Sequence, residues 1–196
     1  RYNQTMGILK IVSFPDSILR EVSQPVEAFD AKLEKLTDDM LETMYDAPGV
    51  GLAAIQVGLA KQILVLDVDY QIEGDEERRV YKNRKPRVII NPTILEKEGE
   101  VLFREGCLSV PGVSEEIKRF SDLVIEYQDL KGKKQTLEAD GLLAVALQHE
   151  IDHLEGRVFL DRLSPAKRVL MKSRVRKYLN EEESKRERRS RLHVEL

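Results

Sequence analysis

Residues 140–155 constrain the fold of this chain most, because they are apolar on nearly every side of a helix. When the segment is drawn as a helix, one side combines a histidine with three aliphatic residues, namely Leu142, Val145, Ala146 and His149. Other aliphatic side chains occupy the remaining sides. A helix without a polar face is a buried helix. The sequence therefore predicts that this segment forms a helix inside the domain.

The same segment contains the sequence His-Glu-Ile-Asp-His at residues 149–153. Residues four apart lie on one face of a helix, so His149 and His153 project together. Two imidazoles at this spacing bind a divalent metal, and Glu150 between them can act as a base on a water molecule at that metal. Buried imidazoles need polar partners, which a metal provides. We therefore favour a metal site over two hydrogen-bonded core histidines.

The third ligand distinguishes the proteins that share this motif. Metalloproteases supply a His or Glu downstream, whereas the only downstream histidine here is His193, in a basic tail. Upstream lies Cys107, within the sequence Glu-Gly-Cys-Leu-Ser at residues 105–109. A thiolate with two imidazoles leaves a fourth position open, which is the arrangement of catalytic sites. The alternative, an inert buried thiol, is less consistent with the adjacent glycine and the histidine pair.

A third motif, Gly-Val-Gly-Leu-Ala-Ala-Ile-Gln, spans residues 49–56. Paired glycines permit a ligand to approach the backbone closely, and Gln56 offers an amide donor for an oxyanion. Taken alone, such a stretch is more often an ordinary turn. It is not a phosphate-binding loop, because the Lys-Ser/Thr ending of that motif is missing.

Three further segments show the periodicity of regular structure. Apolar residues at 3-4 spacing predict a helix over residues 30–45, with Asp30 as N-cap. Another helix is predicted to open at Ser164, followed by proline at the first helical position, and to fray beyond Asn180. Strands are predicted over residues 62–69, 87–95 and 122–129, and a surface loop or hairpin over residues 71–85. Strands and helices without regular alternation indicate an α+β fold.

Taken together, the three motifs resemble those of the peptide deformylase family. In that family G-φ-G-φ-A-A-x-Q, E-G-C-L-S and Q-H-E-x-D-H-L-x-G follow in this order, as at residues 49–56, 105–109 and 148–156 here. The resemblance covers about residues 6–170. It implies antiparallel sheets packed around a central buried helix that carries the His-Glu-x-x-His motif, plus a C-terminal helix. Ile55 is a departure, because many family members have proline at this position.

The resemblance also implies which residues hold the metal. Cys107, His149 and His153 would bind it, and Glu150 would be the general acid and base. The family favours Fe²⁺ as the ion in the cell, although Zn²⁺, Ni²⁺ or Co²⁺ could replace it in a purified sample. By ligand chemistry alone, a thiolate with two imidazoles suits zinc and ferrous iron equally.

For the substrate, the resemblance implies donors, a backbone partner and a pocket. Gln56, through its side chain, and Leu108, through its backbone N–H, would stabilise the oxyanion, while Gly51 would pair with the peptide backbone. The methionine side chain would enter an apolar pocket formed by Val50, Leu142, Val145 and Ala146. The implied reaction is metal-dependent hydrolysis of the N-formyl group from the formylmethionine of nascent polypeptides, with release of formate.

Two alternatives remain open at the level of sequence. The first is a metallopeptidase that cleaves internal peptide bonds, which Cys107 and the lack of a suitable downstream ligand disfavour. The second is a non-catalytic metal-binding or RNA-binding module built around the basic tail. That module would need a fourth protein ligand to close the site, and only His193 is available.

Charge is distributed unevenly along the 196 residues. Residues 164–196 carry 11 Lys/Arg and 5 Asp/Glu, a balance of +6, whereas the whole chain carries −3. A basic tail on an acidic body indicates a polyanionic partner, and the resemblance implies docking to the ribosome through the C-terminal helix. The alternative is a solvated helix face.

The domain organisation follows from these segments. We interpret residues 1–5 as an expression remnant or a disordered N-terminus, residues 6–163 as the catalytic domain and residues 164–196 as a basic C-terminal helix with a frayed end. No apolar run approaches the length of a membrane span, so no membrane partner is expected. The single cysteine excludes an internal disulfide and fits a reducing compartment, and we expect the bacterial cytoplasm.

Overall fold

The computed structural model describes residues 7–74 and 79–194, and the side chains of those residues as far as residue 188. Residues 1–5, interpreted above as a remnant or disordered N-terminus, lie outside the described residues. The described residues form three α-helices, nine β-strands and short 3-10 helices. The sheets are antiparallel, and a helix forms the C-terminal end of the described residues, which confirms the α+β class.

The helices are α1 Ala31–Asp46, α2 Gly141–Leu154 and α3 Pro165–Val194. The N-terminus of α1 is the predicted one, because the Asp30 side chain accepts hydrogen bonds from the backbone N–H groups of Lys32 and Leu33. Its apolar stripe is buried at Leu33, Met40 and Met44. The helix predicted over residues 30–45 is therefore confirmed.

The main sheet has five antiparallel strands: β1 Gly51–Ala53, β2 Ile63–Leu66, β5 Arg87–Glu98, β8 Asp122–Gln128 and β9 Lys134–Asp140. Their spatial order is β1-β2-β5-β8-β9, so β1 is an edge strand. Two hairpins complete the described strands: β3 Gln71–Glu73 with β4 Val80–Lys82, and β6 Val101–Cys107 with β7 Val110–Arg119. The three predicted strands correspond to β2, β5 and β8. The charged segment 71–85 contains the β3–β4 hairpin, one of the two forms predicted for it.

The main sheet is covered on both faces, and β2 shows this most clearly. Leu64 and Leu66 pack into a cluster with residues of α2, while Ile63 and Val65 pack into a cluster with residues of α1. All four side chains are buried. A strand buried on both faces is continuously apolar, which explains the unbroken run of aliphatic residues in β2.

Helix α2 is buried along most of its length. Every residue from Ala144 to Leu154 is buried, and the helix contacts β1, β2, β8 and β9. Gly156 follows with a positive φ of 71°. A β-carbon there would lie 2.5 Å from the carbonyl oxygen of Arg20, so glycine is required where the chain leaves the helix.

Helix α3 packs only part of its length on the rest of the protein. Met171 and Val175 are buried against residues of β7 and a 3-10 helix. The structure continues the helix to Val194, whereas the sequence suggested fraying beyond Asn180. Ion pairs one turn apart, such as Lys177 with Glu181, favour helix in this charged segment. Among residues 7–74 and 79–194, no helix has the length and apolarity needed to cross a membrane.

Candidate active site

A cleft of about 510 Å³ lies between the edge strand β1, the β6–β7 hairpin and one side of α2. Residues 48–51 form one wall, residues 103–108 form the opposite wall, and α2 closes the end. The structure brings together in its lining all five residues predicted to bind substrate: Val50, Gly51, Leu142, Val145 and Ala146. Gln56, Cys107, Leu108, His149 and Glu150 also line it.

The three predicted metal ligands meet at the inner end of this cleft. The ligand atoms of Cys107, His149 and His153 all lie within 4.8 Å of one another, and Cys107 Sγ is 3.2 Å from His153 Nε2. Cys107 is the last residue of β6, while both histidines project from α2. The spacing of four along the helix therefore gives the geometry that the sequence predicted. These atoms are close enough to share one ion with bonds of about 2.0–2.3 Å.

Glu105 orients His149, a role that the sequence analysis did not assign. Its Oε2 lies 2.8 Å from His149 Nδ1, which leaves the other ring nitrogen to face Cys107. A carboxylate on the outer nitrogen of a ligating histidine fixes the ring orientation and raises its basicity as a ligand. No spacing in the sequence indicated this contact, because Glu105 and His149 lie 44 residues apart.

Arg119 holds Glu105 in turn. Its Nε and one terminal nitrogen donate to the two Glu105 oxygens at 2.6 and 2.9 Å, and its other terminal nitrogen donates to Asp152 at 2.6 Å. The Arg119 side chain is fully buried, and those of Glu105 and Asp152 are nearly so. A buried, doubly paired guanidinium connects β6, β7 and α2 directly behind the ligands. No pattern in the sequence indicated this contact.

The charges around the site shift several pKa values. Burial would raise the pKa of Glu105 and of Asp152, but hydrogen bonds from arginines outweigh it and keep both below their usual range. Burial would lower the pKa of His149, yet hydrogen bonds with Cys107 and Glu105 raise it well above the usual value. For His153, burial and the neighbouring His149 lower the pKa well below that value. The pKa values of the two neighbouring imidazoles are therefore shifted in opposite directions.

Glu150 lies beside these ligands in an unusual environment for a carboxylate. Burial raises its pKa to about 7, a value suited to proton exchange near neutral pH. Its Oε2 atom is buried and has no hydrogen-bond partner among the described residues. On its other side, a β-carbon on Gly51 would lie 2.5 Å from Glu150 Oε1. Glycine at position 51 therefore makes room for the Glu150 carboxylate.

The side-chain amide of Gln56 is held with its NH₂ group directed towards Cys107. Its Oε1 accepts a hydrogen bond of 2.8 Å from the Ala53 N–H, which fixes the amide orientation. Its Nε2 donates to Ser109 Oγ at 3.2 Å and points towards Cys107 Sγ at 3.6 Å. Gln56 belongs to a 3-10 helix, Ala54–Val57, which directly follows β1. Leu108 is the first residue of the turn after Cys107.

The four side chains predicted to surround a methionine side chain are all apolar. Val145 and Ala146 are buried, whereas Val50 and Leu142 are each 37% exposed at the opening. Phe103 adds an aromatic side chain to the opposite wall, and Arg104 adds a charge. The sequence analysis did not assign these two residues to the site, because neither belongs to one of the three motifs.

The donor set fits a divalent metal. A cysteine sulfur and two imidazoles converge, and the ring of His149 is oriented by a carboxylate, which is the usual environment of a ligating histidine. Among residues 7–74 and 79–194, this is the one group of three or more Cys, His, Asp or Glu side chains close enough to hold an ion. A carboxylate suited to proton transfer lies next to it, in a cleft open to a ligand.

The chain is similar to known proteins over most of its length. The family model described as Polypeptide deformylase matches residues 8–169. A peptide deformylase of Rhizobium meliloti is 49% identical over 173 residues, which are 88% of this chain and 94% of that protein. The crystal structure of a peptide deformylase from Legionella pneumophila is 41% identical, with a TM-score of 0.78 over 90% of this chain and 98% of that one.

A second solved structure, of peptide deformylase from Ehrlichia chaffeensis in complex with actinonin, is 45% identical. Its TM-score is 0.79, and the match covers 88% of this chain and 98% of that chain. The family model spans most of the sequence, and identities above 40% extend over nearly the whole length of these relatives. The chain therefore belongs to the peptide deformylase family.

Proposed function

We propose that this protein hydrolyses the N-formyl group of formylmethionyl peptides and nascent chains, releasing formate. The observation that carries the proposal is the convergence of Cys107, His149 and His153 beside a buried carboxylate, Glu150, at the end of an open cleft. Family membership supports the same reaction. The substrate is made during bacterial translation, so we infer that the enzyme acts in the bacterial cytoplasm.

Cys107, His149 and His153 would hold one divalent metal, with a fourth position open to the cleft. The bound ion would lower the pKa of a water molecule towards about 7 and polarise the formyl carbonyl. A thiolate with two imidazoles suits both Fe²⁺ and Zn²⁺. We infer Fe²⁺ in the cell, with Zn²⁺, Ni²⁺ or Co²⁺ as replacements in purified protein.

Glu150 would move the proton. It accepts one proton from the attacking water while the water oxygen forms a bond to the formyl carbon. It then delivers that proton to the peptide nitrogen as the carbon–nitrogen bond breaks, which releases formic acid and the amine. The formic acid loses its remaining proton to the amine, so that formate and an ammonium group leave. Proton transfer of this kind contributes typically about 10²–10⁴-fold. The reaction needs no acyl-enzyme, which is consistent with Cys107 as a ligand rather than a nucleophile.

Gln56 Nε2 and the backbone N–H of Leu108 would stabilise the negative charge that develops on the formyl oxygen. Gln56 supports this role because its amide is fixed by Ala53 and Ser109 before substrate arrives. Donors that are already oriented need no rearrangement in the transition state, and removing one costs roughly 2.7–4 kcal/mol of barrier.

The substrate peptide would lie extended between two backbone walls. Residues 48–51 lead into the edge strand β1, whose outer side is not paired within the main sheet. A peptide can add to such an edge as a further strand, with Gly51 as its backbone partner. The methionine side chain would enter the pocket of Val50, Leu142, Val145 and Ala146. We infer that α2 is the central element on which these walls converge.

Formate release from formyl-Met-Ala-Ser, measured with metal content on protein purified without air, tests the proposed reaction. We expect formate release and no cleavage of a blocked casein peptide, which a metallopeptidase would cut instead.

Formyl-Met and formyl-norleucine peptides should exceed formyl-Ala peptides at least tenfold in kcat/KM, because a missing methylene costs about 1–3 kcal/mol in an apolar pocket. Casein cleavage without formate release would overturn the proposed reaction, and equal rates on the three formyl-peptides would overturn the pocket assignment.

We also infer that α3 docks the enzyme on the ribosome, where nascent chains emerge. The support is the basic charge of residues 164–196 on an otherwise acidic chain. A surface rich in RNA phosphate would attract this helix and repel the body.

A further inference from the structure

The wall of the cleft continues beyond the end of its strand. β1 pairs with β2 from Gly51 to Ala53, and the Asp67 N–H extends this ladder by donating to the Val50 carbonyl at 3.0 Å. The next carbonyl, that of Gly49, lies past the end of β2. It accepts a hydrogen bond of 2.9 Å from the Tyr70 hydroxyl. A side chain thus takes the place of a missing strand partner, at residues that line the substrate cleft.

Tyr70 is itself held by Asp67, which is fully buried at the end of β2. Asp67 Oδ1 accepts from the backbone N–H groups of Asp69 and Tyr70 at 3.0 and 3.2 Å, which folds the chain into a tight turn. Its Oδ2 accepts from the Tyr45 hydroxyl at 2.6 Å and from the Lys85 N–H at 2.7 Å. One buried carboxylate therefore fixes the residue that clamps Gly49.

Neighbouring rings keep Tyr70 from turning away. The Tyr70 ring meets that of Tyr45 edge to face, with centroids 5.2 Å apart, and lies 5.7 Å from that of Tyr81. The Arg84 guanidinium lies 4.0 Å over the Tyr45 ring and closes the cluster. The Tyr81 hydroxyl also donates to a carbonyl, but this is the Tyr45 carbonyl in α1, away from the cleft lining.

We propose that Tyr70 is a positioning residue for substrate binding, which it serves by clamping the Gly49 carbonyl and so fixing the backbone of Val50 and Gly51. This inference rests on the proposed function, because it assigns the clamped wall to the formyl-peptide. Gly49 is held on both sides, since its N–H donates to the Met44 carbonyl at 2.8 Å. A fixed wall lowers the entropy lost when an extended peptide pairs with it.

The clamp should affect affinity more than chemistry. Glu150 projects from α2, Gln56 from a 3-10 helix and Cys107 from β6, and none of them contacts Tyr70 through a hydrogen bond in the described structure. An interaction that stabilises the bound substrate and the transition state by the same free energy changes KM and leaves kcat unchanged. The substitution Tyr70→Phe should therefore raise KM without slowing turnover.

The matched comparison is Tyr70→Phe against Tyr81→Phe. Each substitution removes one hydroxyl bonded to a backbone carbonyl and keeps its ring, but only the first carbonyl lines the cleft. For formyl-Met-Ala-Ser we expect Tyr70→Phe to raise KM about threefold to tenfold, the worth of one hydrogen bond, with kcat within about twofold. Tyr81→Phe should leave both constants near those of the unchanged protein. The two variants should have similar Tm values.

Hydrogen exchange gives a readout that does not need activity. Amides of residues 48–51 should exchange faster in Tyr70→Phe than in either the unchanged protein or Tyr81→Phe. Unchanged exchange and unchanged KM in Tyr70→Phe would overturn the clamp. So would an equal rise of KM in both variants, which would indicate general loosening of the tyrosine cluster. Absence of formate release by the unchanged protein would instead overturn the proposed function, while the exchange data would still decide whether the clamp exists.

Discussion

At the scale of single residues, the cleft depends on the close approach of Glu150 to the backbone at Gly51. A β-carbon at position 51 would lie 2.5 Å from Glu150 Oε1, so glycine is needed there to leave room for the carboxylate. Glu150→Gln keeps the size of the side chain but removes its basicity. We expect turnover to fall by about 10²-fold or more, because proton transfer is lost. Metal content should be unchanged, since Glu150 is not among the three converging ligands.

Formate release and metal analysis on the same preparation test this prediction. Gly51→Ala serves as a companion variant, because its methyl group would displace the Glu150 carboxylate without changing its chemistry. It should slow turnover while the glutamate is still present. Near-normal turnover in Glu150→Gln would show that another group moves the proton.

The role proposed for Cys107 is different, because it concerns metal affinity. Cys107→Ser replaces a soft anionic ligand by an alcohol that stays protonated, so the metal content of the purified protein should fall. Activity should fall in proportion to the metal lost. Ser109→Ala is a control for metal content, because Ser109 lies two residues away, is buried and bonds to Gln56 rather than to the predicted ligands. Full metal occupancy and full activity in Cys107→Ser would remove Cys107 from the ligands.

At the scale of elements, Arg119 joins β6, β7 and α2 behind the metal ligands. Arg119→Met would leave the buried Glu105 without its guanidinium partner and Asp152 with fewer. Breaking a buried pair by removing one partner typically costs about 3–5 kcal/mol. We expect the free energy of unfolding in urea to fall by about this amount, and metal affinity to fall as well, because Glu105 would no longer be fixed against His149.

The adjacent residue provides the control for this substitution. Lys118 pairs with Glu100 on the surface, where both side chains are more than 60% exposed. Lys118→Met should leave unfolding and metal affinity nearly unchanged, because exposed pairs are screened by solvent. Equal effects of the two substitutions would mean that the buried pairs do not stabilise the site.

Elements with an apolar stripe could be predicted from the sequence, and elements without one could not. The stripe of α1 and the aliphatic run of β2 indicated both correctly. The β6–β7 hairpin escaped prediction because most of β6 is exposed and its most deeply buried side chain is a glutamate, Glu105. The hairpin is held by its own ladder, by Arg119 and by the packing of β7 against α3, and these contacts join segments that are distant in sequence.

The same distinction applies to the site. The histidine pair and Glu150 follow from helical spacing, since all three lie within one turn and a half of α2. The contact of Glu105 with His149 joins residues 44 apart in sequence, and that of Tyr70 with Gly49 joins residues 21 apart. Spacing cannot encode such contacts, because they exist only after the sheet and α2 have packed.

At the scale of the whole molecule, charge and packing divide α3 into two parts. The first part, residues 164–180, contains six Lys or Arg residues and no Asp or Glu. Residues 181–196 carry five basic and five acidic residues and so contribute no net charge. Val175 is buried against the body, while Arg174, Arg176 and Lys177 around it are exposed. An anionic surface would therefore be attracted to the first part of the helix.

This division gives a sharp test of docking to the ribosome. Each Lys or Arg that contacts phosphate releases counterions, and losing one reduces the salt slope of log K by about 1. The triple variant Arg174→Gln, Arg176→Gln, Lys177→Gln should bind ribosomes more weakly at low salt, with a slope reduced by about 3 if all three residues contact RNA. A truncation after Asn180 removes no net charge and should keep most of the affinity. The triple variant and the truncated chain should both release formate from a short formyl-peptide at the normal rate, because neither change reaches the cleft.

Co-sedimentation across a salt series distinguishes the outcomes. Strong binding by the triple variant together with loss of binding by the truncated chain would place the anchor in the last residues of the helix, and equal binding by all three proteins would mean that the basic charge only solvates α3.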